Sequence, residues 1–491
     1  MNCNRLYPLL ERAAKKWPNE IAISSVENSF TYSALQSAAN GLASQLLAMG
    51  IKPSDKVGVL CANGPAYVIA SFALFAIDGI LVPIFPGLKQ SEVNTLAVDM
   101  KLDAFCCEPH LCEQLPSTAK QRQCDIAPYA GAMPFQIYDC TNEERAEAKD
   151  EKLGAVGAPL LRFTSGTTSR AKGVIIPQSA MIEYTKRFAT SYNIARGDRV
   201  LNLLSMAHIF YQVTTGLLQG AQTIVHEITD LVNIARTIKT ARITHIEAAP
   251  SFYSMLLNTN LLEAEDFRGI KYITSCGAAL PNEVAGAFRD KYQREIVQRY
   301  GLTETGPVLI NLNEDEKKRG TLGTAVPGCE IKLEPIDFNS FDQDHGEILV
   351  RCPGLFYGYY SPWTPAETVL DGGWFHTGDV ASKDAEGFFR ILGRTKIIIN
   401  VGGVKVFPNE IEDILRSHPA VDEALVYGAP DPRFGEAPRA KVKLKLGSHC
   451  DRKGLLAFAN QRLSLFKALR DIDFVYALPK TATGKLKRSG G

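Results

Sequence analysis

Along the first two-thirds of the chain, apolar and polar positions fall into two alternating textures. Short runs rich in Val, Ile and Leu, at residues 56–61, 80–84, 200–204, 222–226, 243–248 and 271–275, are separated by stretches with helical spacing. Strands that read as continuous apolar runs and alternate with helices predict parallel sheets with helices on both faces. The most apolar stretch, residues 66–77, lies between Pro65 and Asp78. It is too short to cross a bilayer core of ~30 Å, so it predicts a buried helix. The opening segment, MNCNRLYPLLERAAKKWP, lacks the apolar centre of a signal peptide and predicts an amphipathic helix. From about residue 320 to 392 the texture changes. Short β runs at 330–333 and 347–351 alternate with Gly and Pro and predict a small barrel. After Arg394 a compact α+β unit is expected. Pro408-Asn409-Glu410 opens a helix with Asn409 as candidate N-cap, and strands follow near 424–427 and 440–446. There is no internal repeat and no low-complexity tract.

Length and composition narrow the picture. A chain of 491 residues exceeds what one hydrophobic core usually spans, so at least two domains are expected, and we place the boundary at Lys396: residues 1–395 and 396–491. With 45% hydrophobic and 22% charged residues the chain reads as ordinary globular sequence. Lys+Arg 54 against Asp+Glu 53 leaves a net charge of +1, which gives no global attraction to nucleic acid or to an anionic membrane. The eleven cysteines include no CxxC pair. Cys106, Cys107, Cys112 and Cys124 cluster loosely without a histidine at zinc-site spacing. A reduced, cytoplasmic setting is the expectation.

Between two strand-like runs lies "FTSGTTSRAKG", residues 163–173, five hydroxyl side chains with two glycines, an arginine and a lysine. Small hydroxyl residues and Gly166 let backbone N–H groups turn inward around an anion, and Lys172 adds charge. A solvated surface loop is the bland reading. A Walker A loop fails, because Ala171 stands where its second Gly belongs and Gly173 where Ser or Thr belongs. Four further elements follow in order: "QRYGLTETGP", "GWFHTGDV", "GRTKIIINVGGVKVFPNEIE" and "LPKTATGKLKR". Taken singly, Glu304 is an exposed capping charge, Thr377-Gly378-Asp379 a turn, and Lys485 a solvated terminal lysine.

Together and in this order, the five resemble the signature elements of the adenylate-forming superfamily, which includes the acyl- and aryl-CoA synthetases. The first departs from the family pattern at Ser169 and Ala171, neither of which removes a phosphate donor. The resemblance covers nearly the whole chain. It implies an α/β fold: a large N-terminal domain of doubly wound sheets plus a small β-barrel, and a small mobile α+β C-terminal lid. It implies that Thr164, Ser165, Gly166, Thr167, Thr168 and Lys172 hold the ATP phosphates. Thr303 would touch them, and Glu304 would ligate Mg²⁺, a hard cation suited to carboxylate oxygen. Tyr300 and Gly301 belong to the same element. Gly277, Ala278 and Ala279 in "SCGAALP" would line adenine, with Ser275 at the edge of the acid pocket. Asp379 and Arg394 would hold ribose, Lys396 would be the hinge, and Lys485 would be catalytic. Gly402 and Gly403 would border the path of the pantetheine arm.

The implied activity is an ATP-dependent acid–thiol ligase. A carboxylic acid becomes an acyl-AMP with release of pyrophosphate and is then passed to CoA, or to the phosphopantetheine of a separate carrier protein. A monomer or homodimer is expected, with no nucleic-acid partner and no membrane span. His208, in "SMAHIFYQ", occupies the gating position of the family, though a core histidine fits the residues equally. No Asp stands where amino-acid-activating relatives hold an ammonium. Arg299, before Tyr300-Gly301, replaces a small residue at the border of the acyl pocket. Malonyl-CoA synthetases carry the same Arg-Tyr-Gly. Arg299 either pairs with a second carboxylate or polar substituent of the substrate, or turns away to a structural carboxylate.

Overall fold

The computed structural model describes residues 5–121, 135–140, 153, 156–157, 160–164, 172–207, 210–313, 315–336, 345–402 and 404–480, with Thr164 and Lys172 as backbone alone. Two nine-stranded sheets dominate. The first runs Thr364–Pro365, Gly358–Tyr359, Lys172–Ile176, Leu160–Thr164, Ile80–Ile84, Lys56–Leu60, Ala104–Cys107, Gln136–Asp139 and Lys120–Gln121. The second runs Thr324–Ala325, Gly306–Ile310, Val297–Leu302, Tyr272–Ser275, His245–Ala248, Arg199–Asn202, Gln222–Val225, Ile21–Ser24 and Ser29–Thr31.

The central strands are parallel, as with Lys56↔Ile80 and His245↔Tyr272. They are buried on both faces, which is why their sequences carry no alternation. Helix Pro65–Ala76 shows the same logic. Gly64 and Pro65 set its start, every residue from Pro65 to Phe75 is buried, and it packs against helix Tyr32–Ala48 and the strands on either side of it in sequence. Each such aliphatic or aromatic side chain contributes about 1.5–3 kcal/mol of burial. Helix Tyr7–Lys16 buries only the stripe Leu9, Leu10, Ala13 and Ala14, as an amphipathic segment should.

The segment read as a small barrel is a four-stranded antiparallel sheet, Glu330–Glu334, His345–Arg351, Phe375–Lys383 and Phe389–Arg394, with one added bridge from Gly323 to Phe389. A five-stranded sheet follows. Val404–Val406, Ile399–Val401, Gly435–Leu444 and Val421–Asp431 pair antiparallel, and Asp471–Phe474 joins Gly435–Leu444 in parallel. Its core, including Ile399, Ile411, Val442, Leu455 and Ile472, is separate from the cores of the large sheets. Phe407 forms a bridge to the preceding sheet. It packs with Val380 and Leu392, and it lies so close to Gly393 that a Cβ there would be 2.9 Å from its ring. Asn409 is not the N-cap of helix Pro408–Arg416. Phe407 holds that position without a side-chain hydrogen bond, and Pro408 starts the helix, where its missing N–H has no partner to lose.

All nine described cysteines are free thiols. No helix among the described residues is long and apolar enough to cross a membrane.

Candidate active site

Strand Val297–Leu302 leaves the parallel part of the second large sheet and turns back on Gly306–Ile310 as an antiparallel hairpin, with a bulge between Tyr300 and Gly301. The turn is tight. A Cβ on Gly301 would sit 2.1 Å from the Gly306 carbonyl oxygen, and Gly306 itself has φ +64°. Thr303 and Glu304 occupy the bend, both partly buried. The Glu304 carbonyl accepts from the Phe356 N–H at 2.8 Å and the Tyr184 hydroxyl at 3.3 Å. Its carboxylate Oε1 accepts from the Tyr359 hydroxyl at 3.0 Å. Burial first, and the Glu304 charge second, push the Tyr359 phenol up, so it remains a donor to that carboxylate. Arg187 Nη2 donates to the next carbonyl, Thr305 O, at 2.7 Å.

A second set forms where strand Phe375–Lys383 pairs with Phe389–Arg394 and brings Asp379 directly opposite Arg394. Arg394 Nε lies 2.9 Å from Asp379 Oδ1, and the Tyr300 hydroxyl donates to Oδ2 at 2.7 Å. Arg394 Nη2 also reaches Thr377 O at 3.1 Å, and Thr377 Oγ1 accepts from the Asp379 N–H at 3.1 Å. Groups from the "RYG", "TGD" and "GRTK" segments thus meet around one carboxylate. The Asp379 side chain is 12% exposed and that of Arg394 53%, so the clasp opens to solvent on the arginine side. Lys396 follows, exposed, in the single turn Thr395–Ile397. Gly402, at φ +58°, ends strand Ile399–Val401 and donates its N–H to Phe434 O at 2.8 Å.

Gly277, Ala278 and Ala279 form an exposed turn after strand Tyr272–Ser275. Gly277 has φ +85°, and nothing lies within 4 Å of where its Cβ would be. That is a backbone face open to a flat group. Ser275 is in register with Ala248 and Gln298, whereas Thr274 is in register with Glu247 and with Val297, two residues before Arg299. The pleat therefore puts Ser275 on one face of the sheet and Arg299 with Glu247 on the other.

Arg299 is buried and paired. Its Nη2 lies 3.1 Å from Glu247 Oε2 and 2.9 Å from Cys276 Sγ, and its guanidinium stacks over the rings of Phe188 and Tyr211 at 5.0 and 5.7 Å. Gln212 Nε2 donates to the same Glu247 oxygen at 2.8 Å. Burial pushes the Glu247 carboxyl up, and Arg299, Thr274 and Gln212 oppose that. Arg299 Nη1, Glu247 Oε1 and Gln212 Oε1 have no hydrogen-bond partner among the described residues. Glu247 went unrecognised in the sequence. Its signal was a lone carboxylate inside the apolar strand "THIEAA", a position that demands a cation nearby. Tyr184, Tyr359 and Arg187, which hold the Glu304 turn, left no comparable trace. Ser165, Gly166, Thr167, Thr168, His208, Gly403 and Lys485 lie outside the described residues, as do the side chains of Thr164 and Lys172.

Comparison with known proteins gives the same direction. A family model described as AMP-binding enzyme matches residues 10–360, and one described as AMP-binding enzyme C-terminal domain matches residues 410–485. A feruloyl-CoA synthase from Amycolatopsis is 28% identical over 488 residues, covering 97% of this chain and 96% of its own. A long-chain-fatty-acid–CoA ligase from Bacillus subtilis is 29% identical, covering 98% of this chain and 93% of its own. The o-succinylbenzoate CoA synthetase of B. subtilis, solved with its acyl-adenylate intermediate, superposes with a TM-score of 0.82 at 25% identity, over 98% of this chain and 96% of that one. With the first family model spanning most of its length and the second covering its C-terminal unit, the chain belongs to the AMP-binding enzyme family.

Proposed function

We propose that the protein is an ATP-dependent acid–CoA ligase that activates a compact carboxylic acid as its acyl-adenylate and then passes the acyl group to CoA. The observation that carries this reading is the Tyr300–Asp379–Arg394 clasp beside the Glu304 turn. It gathers groups from three distant signature segments into one polar recess with an exposed cation. Asp379 accepts the ribose hydroxyls while Tyr300 and Arg394 fix its orientation. The Gly277–Ala279 turn offers backbone to adenine. Thr164, Ser165, Gly166, Thr167, Thr168 and Lys172 cradle the phosphates. In the first step a carboxylate oxygen of the acid bonds to the α-phosphorus and the bond to pyrophosphate breaks. The protein's part is positioning and charge stabilisation, with Lys485 and Thr303 beside the reacting oxygens and His208 at the pocket mouth. In the second step the CoA sulfur attacks the acyl carbon and AMP leaves, after the C-terminal unit has turned about Lys396 and brought Gly402 and Gly403 to the pantetheine path.

The Glu304 carboxylate fits a hard divalent cation, which favours oxygen donors and takes one or two carboxylates besides phosphate oxygens. Tyr359 holds that carboxylate in the bend. Bound there, Mg²⁺ would neutralise charge on the phosphates. The relatives named above act on CoA, which favours CoA over a carrier protein as acceptor. Arg299 and Glu247 are buried as a neutralised pair, and a charged pair at the position that borders the acyl pocket in the resembled family supports a short acid over a long aliphatic chain. Release of pyrophosphate across a panel of aryl, short acyl, dicarboxylic and long-chain acids, with and without CoA, tests this. Compact acids should give turnover that depends on CoA for thioester. Turnover confined to long chains, or none with any acid, overturns the reading.

A further inference from the structure

The antiparallel ladder between Glu330–Glu334 and His345–Arg351 begins with the pair Glu330↔Arg351. The same register, carried one residue outward, sets Cys329 opposite Cys352. Cross-strand neighbours have Cα atoms about 4.5–5.5 Å apart, within the roughly 4.4–6.8 Å that a disulfide spans. Both thiols are free and only partly buried. They lie close enough to influence each other's protonation, beside one guanidinium. Arg187 Nη1 reaches Cys329 Sγ at 2.8 Å, and Cys352 Sγ lies 4.0 Å from Thr305 O.

Arg187 is 6% exposed. Among the described residues no carboxylate lies within ion-pair range of it, and its Nε has no acceptor. A buried guanidinium needs an anion, and the nearest group able to become one is a thiol. Their mutual contact and Arg187 favour one thiolate held between them, while burial pushes both thiols up. Two other cysteines differ in kind. Cys61 and Cys106 are buried in the first large sheet's core, and burial pushes them up and out of reach. The second arm of Arg187 holds the Thr305 carbonyl, one residue past Glu304.

We infer that Cys329 and Cys352 are a peroxide-reactive thiol pair whose closure to a disulfide withdraws the Cys329 acceptor from Arg187, loosens its hold on Thr305, and slows adenylation. One sulfur of the pair, as thiolate, attacks one oxygen of hydrogen peroxide. The O–O bond breaks, and the departing hydroxide takes a proton to leave as water, with that cysteine now a sulfenic acid. The second sulfur then attacks the first. The S–S bond forms, the S–O bond breaks, and the hydroxide leaves with the second thiol's proton as a second water. Two thiols lose two electrons, and one peroxide is reduced to two waters. A dithiol reverses the change by exchange.

The test is to expose the purified full-length enzyme to hydrogen peroxide, block remaining thiols, and map disulfide-linked peptides by mass spectrometry. In parallel, pyrophosphate release with the best acid of the panel is followed before oxidation, after it, and after dithiothreitol. A Cys329–Cys352 link is expected, with a several-fold fall in rate that dithiothreitol restores. Cys352→Ser and Cys329→Ser should each retain their rate through peroxide treatment. Absence of the link, a link joining other cysteines, or a link without loss of rate overturns the inference. Failure of the ligase reading is distinguishable, because the reduced enzyme would then release no pyrophosphate with any acid.

Discussion

Arg299 and Glu247 form an ion pair at 3.1 Å with side chains 2% and 0% exposed, sealed between the second large sheet and the rings of Phe188 and Tyr211. Each ion is tolerated there because of the other. Glu247→Gln should therefore destabilise the protein by roughly 3–5 kcal/mol, the cost of leaving one buried charge unpaired. The double change Glu247→Leu with Arg299→Met should recover most of that loss. Denaturant unfolding with tryptophan fluorescence measures both, and a single-mutant loss under about 1 kcal/mol would show that the pair is not desolvated as described.

The same pair bears on the choice of acid. Arg299→Gly in a Glu247→Leu background removes both charges and, on the proposed function, opens space behind the acid pocket. Activity should shift toward larger apolar acids, with kcat/KM ratios between acids changing by about tenfold or more. If the ranking of acids stays that of the parent, Arg299 is a structural cation only.

Asp379→Asn keeps the shape of the clasp and removes its charge. Arg394 and Tyr300 lose a charged acceptor, a contact worth about 1.5–3 kcal/mol. KM for ATP should rise by about tenfold or more, with a smaller effect on KM for the acid. Equal changes in both would place Asp379 away from the nucleotide.

Glu304→Gln removes the anion but leaves an oxygen for Tyr359 to hold. The Mg²⁺ concentration for half-maximal pyrophosphate release should increase, while the fold measured by circular dichroism stays intact. An unaltered Mg²⁺ titration would take Glu304 out of the metal's surroundings.

Lys485→Ala should abolish adenylation yet spare thioester formation from a supplied acyl-adenylate. Lys396→Pro should do the reverse, because proline fixes φ and removes a donor at the pivot. Stopped-flow assays of the two half-reactions separate them. Parallel losses in both halves would contradict alternation about Lys396.

The doubly wound sheets were legible because their central strands are buried on both faces, so runs such as 56–61 and 243–248 carry unbroken apolar sequence. Helix Pro65–Ala76 lies within one residue of the stretch read as 66–77 for the same reason. The signature segments could be recognised, but their mutual arrangement could not. Nothing local in "RYG" announces that the Tyr300 hydroxyl reaches Asp379, nor that Tyr359 holds Glu304. Arg299 left two readings open because its partner sits on a different strand, and only sheet register brings Glu247 beside it. Register likewise parts Ser275 from Arg299, which a linear reading places at one pocket. Asn409 was misjudged because Pro408 already supplies the helix start.

Arg394 closes the clasp on Asp379 only two residues before Lys396, and the Phe407 contact with Val380 and Leu392 lies just beyond. On the proposed function, a nucleotide at that clasp and the orientation of the C-terminal unit would therefore act on the same short piece of backbone. Two equilibria that share a structural element are linked, and the linkage is reciprocal. Whatever factor an occupied nucleotide site applied to the balance of orientations of that unit, an imposed orientation would return to nucleotide affinity. A C-terminal unit held by a substitution or a cross-link far from ATP would register as a change in ATP dissociation constant, so equilibrium nucleotide binding would become a gauge of its position.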